Sequence, residues 1–343
     1  MALVSCFSPW EGGEGTITLV FGDSTSSIHP VSAAAAIASF NADITSYQII
    51  LTGPGGITQT HSVEESGLVR IPVTPGDWNV TVRAIGDVPS SLAGLFPGQT
   101  MLRTIGFADG PVTVSAGQTV GAEVTMMPAL EISSHDQLFE LGAILGNLDV
   151  SEAILILMNN ITAEGEYTIT GDITLISEED FTIARDDYPD NNDALFSIPA
   201  GGSLTLGKPG MSGRITIDGR RNLAMRAEGS LINISNGTLV MHDGITLTGN
   251  FRPDQTQQSL QTQGGAAYVS SNARFYMLGG MIFGNFSLFG GGVAVRGHFE
   301  MSGGSIFGNT ANTSGNAVNV WSPGTAIIFG DTRAPGSINE NLP

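Results

Sequence analysis

Four carboxylates fall within eight residues at Asp186-Asp187-Tyr-Pro-Asp190-Asn-Asn-Asp193. Oxygen ligands crowded in this way suit Ca²⁺, a hard cation that accepts carboxylates and amide carbonyls in flexible geometry. The run lacks the alternating ligands and closing Glu of an EF-hand loop. A solvated acidic loop therefore competes with the reading of Asp186, Asp187, Asp190 and Asp193 as a Ca²⁺ site. Arg214, Arg220, Arg221 and Arg226 form the one basic cluster. Arg220, Arg221 and Arg226 are the candidates for gripping an anionic glycan, the alternative being a loop whose arginines find salt partners nearby. Glycoside hydrolysis needs two carboxylates flanking the scissile bond. Asp243, Glu300 and Asp331 are sparse and fall at no equivalent positions in the repeats described below, so such a pair has no evident home. His242 and His298 read as outward, solvated imidazoles. No Ser-His-Asp constellation is visible, and no glycine run is followed by the Lys-Ser/Thr of a phosphate loop. No catalytic residue is assigned, and no cofactor is required; Ca²⁺ is the one ion the sequence suggests.

Charge distribution narrows the partners. The 343 residues carry a net charge of −19, with 41% hydrophobic and 13% charged side chains and 46 glycines. The first 200 residues hold only four basic side chains, Arg70, Arg83, Arg103 and Arg185, while most of the 32 carboxylates lie there. No basic stripe exists to displace counterions from a phosphate backbone, which argues against nucleic acid as a partner. Cys6 is the single cysteine, so no internal disulfide forms. No run of 18 apolar residues is present to make a membrane-spanning helix.

The elements that would position any site are legible in a repeat. Met277-Leu-Gly-Gly-Met-Ile-Phe-Gly-Asn285 returns as Met301-Ser-Gly-Gly-Ser-Ile-Phe-Gly-Asn309, and in worn form as Ile327-Ile-Phe-Gly-Asp331. Steps of 24 (309 − 285) and 22 (331 − 309) residues between strand-length pieces with Gly-rich corners signal a solenoid. Period-2 alternation, as in Phe275-x-Met277 and Val293-x-Val295, indicates strands rather than helices. In a parallel β-helix, equivalent side chains stack on successive turns about 4.8 Å apart. The spacing therefore predicts columns of Ile282, Ile306 and Ile328 and of Phe283, Phe307 and Phe329. Only one of these columns faces the interior; the other forms an exposed aromatic ladder or sits at a corner. Asn250, Asn285 and Asn309 are predicted to form a structural ladder at one corner, where Asn tolerates left-handed backbone and its amide bonds to the next turn. The longer gap between Asn250 and Asn285 marks Arg252–Gln263 as an inserted surface loop.

Upstream, Ser133–Gly146 changes period. A cap candidate precedes Leu138, Phe139, Leu141, Ile144 and Leu145, and Gly146 closes the run, which predicts one helix over about 135–146 covering the first turn of the coil. Residues 15–128 contain six short alternating runs with turn clusters between them, including Pro75-Gly-Asp-Trp78-Asn-Val-Thr-Val. This pattern predicts an antiparallel β-sandwich, and the Pro75 phrase resembles the tight turn and paired strand of immunoglobulin- or transthyretin-like modules. At the start, Leu3-Val-Ser-Cys6 matches a lipobox, with Cys6 as the lipidated thiol and the Gly-rich stretch 11–15 as a tether. Only five residues precede Cys6, too few for a complete signal peptide.

Together the lipobox, the sandwich, the helix and Gly290-Gly-Gly-Val-Ala-Val295-Arg-Gly-His-Phe299-Glu-Met301-Ser-Gly-Gly-Ser-Ile306-Phe-Gly-Asn309 resemble one group. It comprises the right-handed parallel β-helix lipoproteins and adhesin-like surface proteins of spirochaetes such as treponemes. The resemblance implies an all-β chain: residues 1–14 residual signal and tether, 15–128 sandwich, 129–343 β-helix of the pectate-lyase-like superfold. It also implies a monomer anchored through Cys6 at the outer membrane or cell surface, binding host or environmental glycans or proteins without catalysis. Because the same superfold carries polysaccharide lyases and glycoside hydrolases, a Ca²⁺-dependent carbohydrate-active enzyme is the competing expectation.

Overall fold

The computed structural model describes residues 13–21, 44–148, 150–186, 194–220, 229–252, 264–329 and 338–341. The chain is all-β, with long parallel sheets consistent with a β-helix. It divides into two compact units, Met1–Ala93 with Pro97–Ala129, and Gly94–Phe96 with Leu130–Pro343.

In the first unit, strands pair mainly antiparallel. Gly15–Phe21 lies against Gly67–Val73, and Ile44–Thr52 lies between Thr58–Val63 and Gly76–Asp87. Gly76–Asp87 also pairs with Thr100–Ala108 and Val112–Val114. One pair runs parallel, Gly15–Phe21 beside Thr119–Ile132. Alternate residues point inward, so Ile17, Leu19, Phe21, Ile49, Leu51, Ile71, Val73, Trp78, Val80 and Val82 make one apolar core. Trp78 is fully buried and its indole N–H donates to the Thr74 carbonyl at 2.8 Å, which satisfies the only polar atom of that ring. Two strands escape the alternation pattern. Thr58–Val63 (TQTHSV) is polar on both faces, and Thr100–Ala108 is buried along most of its length.

The second unit is a coil of three parallel ladders, visited in the same order on each turn. The first ladder contains Glu152–Leu157, Asp172–Ser177, Ser203–Leu206, Thr238–Met241, Arg274–Met277, His298–Met301 and Thr325–Ile328. The second contains Ile161–Ala163, Phe181–Arg185, Ile215–Asp218, Ile245–Thr248, Met281–Phe283 and Ser305–Phe307. The third contains Tyr167–Thr168, Phe196–Ile198, Ile232–Ile234, Ala267–Val269, Val293–Val295, Val318–Trp321 and Ile338–Asn341. Inward columns are continuous and apolar. In the first ladder Leu155, Leu175, Leu206, Met241, Met277 and Met301 stack and are essentially fully buried, as are Ile183, Ile217, Leu247, Ile282 and Ile306 in the second. Each turn thereby removes its apolar faces from water against its two neighbours.

Several expectations change in the coordinates. The worn third copy is not equivalent to the first two. Ile328 stacks on Met301 in the first ladder, so it belongs to the Met277–Met301 column and not to that of Ile282 and Ile306. A shared Ile-Phe-Gly phrase was misleading because it falls in a first-ladder strand, Thr325–Ile328, where the two earlier copies fall in second-ladder strands. The Phe283–Phe307 column does face outward, with the two rings stacked at 5.3 Å and 9°. The left-handed corner residue is the glycine before each Asn, Gly249 (φ 71°), Gly284 (φ 69°) and Gly308 (φ 61°), and not the Asn itself. Arg252 is buried and its N–H donates to the Phe286 carbonyl at 3.0 Å, so it belongs to the coil rather than to a surface loop. Residues 253–263 lie outside the described residues. The single helix expected over 135–146 is two short ones, α1 (His135–Phe139) and α2 (Leu141–Asn147), broken at Glu140 (φ −87°, ψ 10°). Ser134 caps α1 in a reciprocal box with Gln137, and Gln137 also donates to the Leu95 carbonyl at 2.9 Å. Phe139, expected in the apolar stripe, is 55% exposed.

Candidate functional site

The asparagine ladder is a buried structural spine. Asn250, Asn285 and Asn309 are almost wholly buried. The backbone N–H of Asn250 donates to Oδ1 of Asn285 at 3.0 Å, and that of Asn285 donates to Oδ1 of Asn309 at 3.0 Å. Their amide nitrogens donate to corner carbonyls, Asn285 to Leu247 and Phe283 and Asn309 to Ile282 and Phe307. Every polar group thus employed belongs to the coil, which leaves Asn285 and Asn309 nothing to offer a ligand.

Of the acidic candidates, Asp187, Asp190 and Asp193 lie outside the described residues, as do Arg221, Arg226 and Cys6. Asp186 stands at the end of a second-ladder strand, its N–H donating to the Ala163 carbonyl at 2.9 Å. No group of three metal-ligating side chains occurs among the described residues. Arg220 has left-handed backbone (φ 53°); its N–H donates to Oδ1 of Asp218 at 2.8 Å and its guanidinium to Oγ1 of Thr162 at 3.3 Å. The first contact is local to the corner; the second reaches across turns of the second ladder.

Two clusters that drew no assignment in the sequence stand out. The first is the corner between the first and second ladders. Lys208, the only lysine in the chain, sits two residues past Leu206, where the next turn places Asp243 two residues past Met241. The His242 N–H donates to the Leu206 carbonyl at 2.9 Å, which fixes this register. Burial pushes the Lys208 amine down to about 8, against the attraction of Glu178. Burial likewise lowers the His242 imidazole, against the attraction of Asp243. His242 is therefore half-buried rather than fully solvated. The uniqueness of the lysine was the signal available in the sequence.

The second cluster lies on the outward side of later turns. Outward on the first ladder, Tyr276, Glu300 and Ile327 succeed one another, beside Arg274, His298 and Thr325. His298 contacts Oγ1 of Thr325 through Nδ1 at 2.9 Å, faces Glu300 at 3.6 Å, and lies 5.8 Å from the Tyr276 ring. Two residues before His298, where the third ladder turns into the first, the Arg296 guanidinium lies 5.2 Å over the Trp321 ring, and Phe289 meets that indole edge-on at 5.5 Å. Tyr268 is buried on the preceding turn; desolvation raises its hydroxyl pKa, and the Arg296 charge acts in the opposite sense. Around the other flank, Leu278, Met281, Phe307 and Phe329 are each between 38% and 50% exposed. Large apolar side chains left in water along one flank are a mark of a contact surface.

Comparison with known proteins yields no match to a protein family, to a curated protein or to a solved structure, so the chain is placed in no family.

Proposed function

We propose that the chain is a lipid-anchored bacterial cell-surface protein, held through Cys6, whose parallel β-helix binds host or environmental glycans without catalysis. In this reading residues 15–128 form an immunoglobulin- or transthyretin-like sandwich that serves as a spacer, and α1 and α2 plug the first turn of a right-handed, pectate-lyase-like coil. The carrying observation is the outward face of the later turns, where Tyr276, His298, Glu300, Arg296 and Trp321 gather. Aromatic rings beside fixed hydrogen-bonding and charged groups are the chemistry that holds sugars. Carboxylates paired on adjacent turns, which hydrolysis would need, do not occur there among the described residues. Titration of the whole protein with a panel of acidic and neutral oligosaccharides, followed by chromatography of the recovered sugars, tests the reading. It expects saturable binding and intact oligosaccharide. Absence of binding to any member, or shortened products, would overturn it.

One observation favours the carbohydrate-active enzyme as a second reading, the lowered Lys208 and His242 at a single corner. A carbohydrate lyase acting there would release unsaturated sugars detectable by ultraviolet absorbance. Such release would have to vanish in Lys208→Met, and an unchanged rate in that variant would remove Lys208 from the chemistry.

A further inference from the structure

The Arg296 guanidinium lies over the Trp321 ring, 5.2 Å from its centroid, and its Nε is sealed from water with no hydrogen-bond partner. Among the described residues its side chain makes no hydrogen bond or ion pair. Neither terminal nitrogen is among the sealed, unpartnered atoms, and the residue as a whole is half-buried. Glu300, the nearest acidic residue along the strand that follows, is turned to His298 at 3.6 Å. In a chain of net charge −19, an arginine set over an aromatic ring, partly desolvated and without a carboxylate partner among the described residues is unusual.

This placement matters because it lowers the main cost of using an arginine. A free arginine side chain loses about 2 kcal/mol of rotamer entropy when it is fixed. Here the Trp321 ring, itself met edge-on by Phe289, already restricts the side chain. A planar cation with two parallel N–H groups on its open edge matches a planar carboxylate in a bidentate pair. Loss of water from Nε weakens competition from solvent and strengthens attraction to an anion at the open edge. One isolated cation on an acidic protein suits a ligand carrying one charge among many hydroxyls better than a densely sulfated chain, which the rest of the molecule repels.

We infer that the outer edge of Arg296, braced by Trp321, is a recognition point for the carboxylate of an acidic sugar, either a sialic acid or a uronic acid. This inference rests on the glycan-binding reading above and names the ligand class for the same face. Tyr268, on the turn before, is close enough to feel the Arg296 charge, and His298 follows two residues along the chain.

The test measures binding of three probes to the full chain by calorimetry: sialyllactose, a glucuronate-ended oligosaccharide, and lactose as the neutral control. The expected result is that at least one acidic probe binds more tightly than lactose. Its affinity falls about ten- to a hundredfold in Arg296→Ala, as expected for losing hydrogen bonds to a charged group. Arg296→Lys recovers little, because an ammonium lacks the planar fork. Arg70→Ala, an exposed arginine of the first unit, leaves binding unchanged. The two acidic probes separate the sialic and uronic sources. If the probes bind but Arg296→Ala binds as the wild type does, or lactose binds equally well, the carboxylate inference is overturned while glycan binding stands. If none of the three binds, the glycan-binding reading goes, and the inference with it. Unchanged melting temperature in Arg296→Ala separates lost recognition from lost folding.

Discussion

Asn285 accepts the Asn250 backbone N–H at 3.0 Å and donates to Leu247 and Phe283 at 3.1 Å each, all out of contact with water. Asn285→Ala would strand a buried N–H with no acceptor, a loss of about 1–3 kcal/mol. Asn285→Asp keeps an acceptor for Asn250 but sets a buried negative charge against two carbonyls, and is expected to be worse at neutral pH. Urea midpoints of the two variants check the order; a wild-type midpoint in Asn285→Ala would mean the ladder contributes nothing to stability. Lys208 yields a prediction in pH. Its amine titrates at about 8 in the folded chain and at about 10.5 when exposed. Between those values the unfolded state binds more protons, so stability rises with pH through that window, and below about pH 8 the buried charge is a standing penalty. Lys208→Met should melt above wild type at pH 7 by about 2–4 °C, allowing for screening of a half-exposed amine. The difference should shrink at pH 10, and a gap that grows with pH would contradict the burial of that amine. At this scale the sequence was partly readable. The Asn column showed itself by repeating, whereas Arg296 and Trp321 occur once each and meet only because equivalent positions of adjacent turns stack.

Corners and strands carry the next level. Recurrence of Gly-Gly and Gly-Asn made the later corners legible, since left-handed backbone admits few other residues. Excursion lengths were not legible, because a loop outside the ladders leaves no mark on the stacking pattern. First-ladder strands are 20 residues apart at the start (172 − 152), 36 in the middle (274 − 238) and 24 near the end (298 − 274). Polar Thr58–Val63 was hidden for a different reason, as an edge strand with no apolar face to advertise it. Two glycines separate the reasons for having one at a corner. Gly201 has φ 82° and open space around it, so Gly201→Ala carries only the torsional cost of about 1–2 kcal/mol. Gly303 has ordinary backbone, but a Cβ there would run into the Leu278 carbonyl of the preceding turn. Gly303→Ala must push two turns apart and is expected to lower the urea midpoint further than Gly201→Ala. The reverse order would show that the corner yields easily and that torsion decides.

For the coil as a whole, the strand ladders pair each turn with its immediate neighbours, and this makes its length adjustable in whole turns but not in fractions. Arg274 and His298 occupy equivalent places 24 residues apart (298 − 274). Removing residues 274–297 would join Ala273 to His298 and set His298–Met301 directly on Thr238–Met241. Leu239 would then meet Phe299, and Met241 would meet Met301, preserving both apolar columns. Asn250 would face Asn309, so the ladder would close with one member fewer. Removing only residues 274–285 would instead take out one first-ladder and one second-ladder strand and run Ala273 into Phe286–Phe289, so that the third-ladder strand Val293–Val295 follows Ala267–Val269 with the rest of its turn missing. The expected outcome is a folded product with β-type circular dichroism and a single cooperative urea transition for the full-turn deletion, and an aggregated or unfolded product for the half-turn deletion. The shortened chain also lacks Arg296, so it should fold yet fail to bind the acidic sugar, separating architecture from recognition in one molecule. Equal damage from both deletions would mean that the turns are not independent layers, and the nearest-neighbour account of the coil would have to be given up.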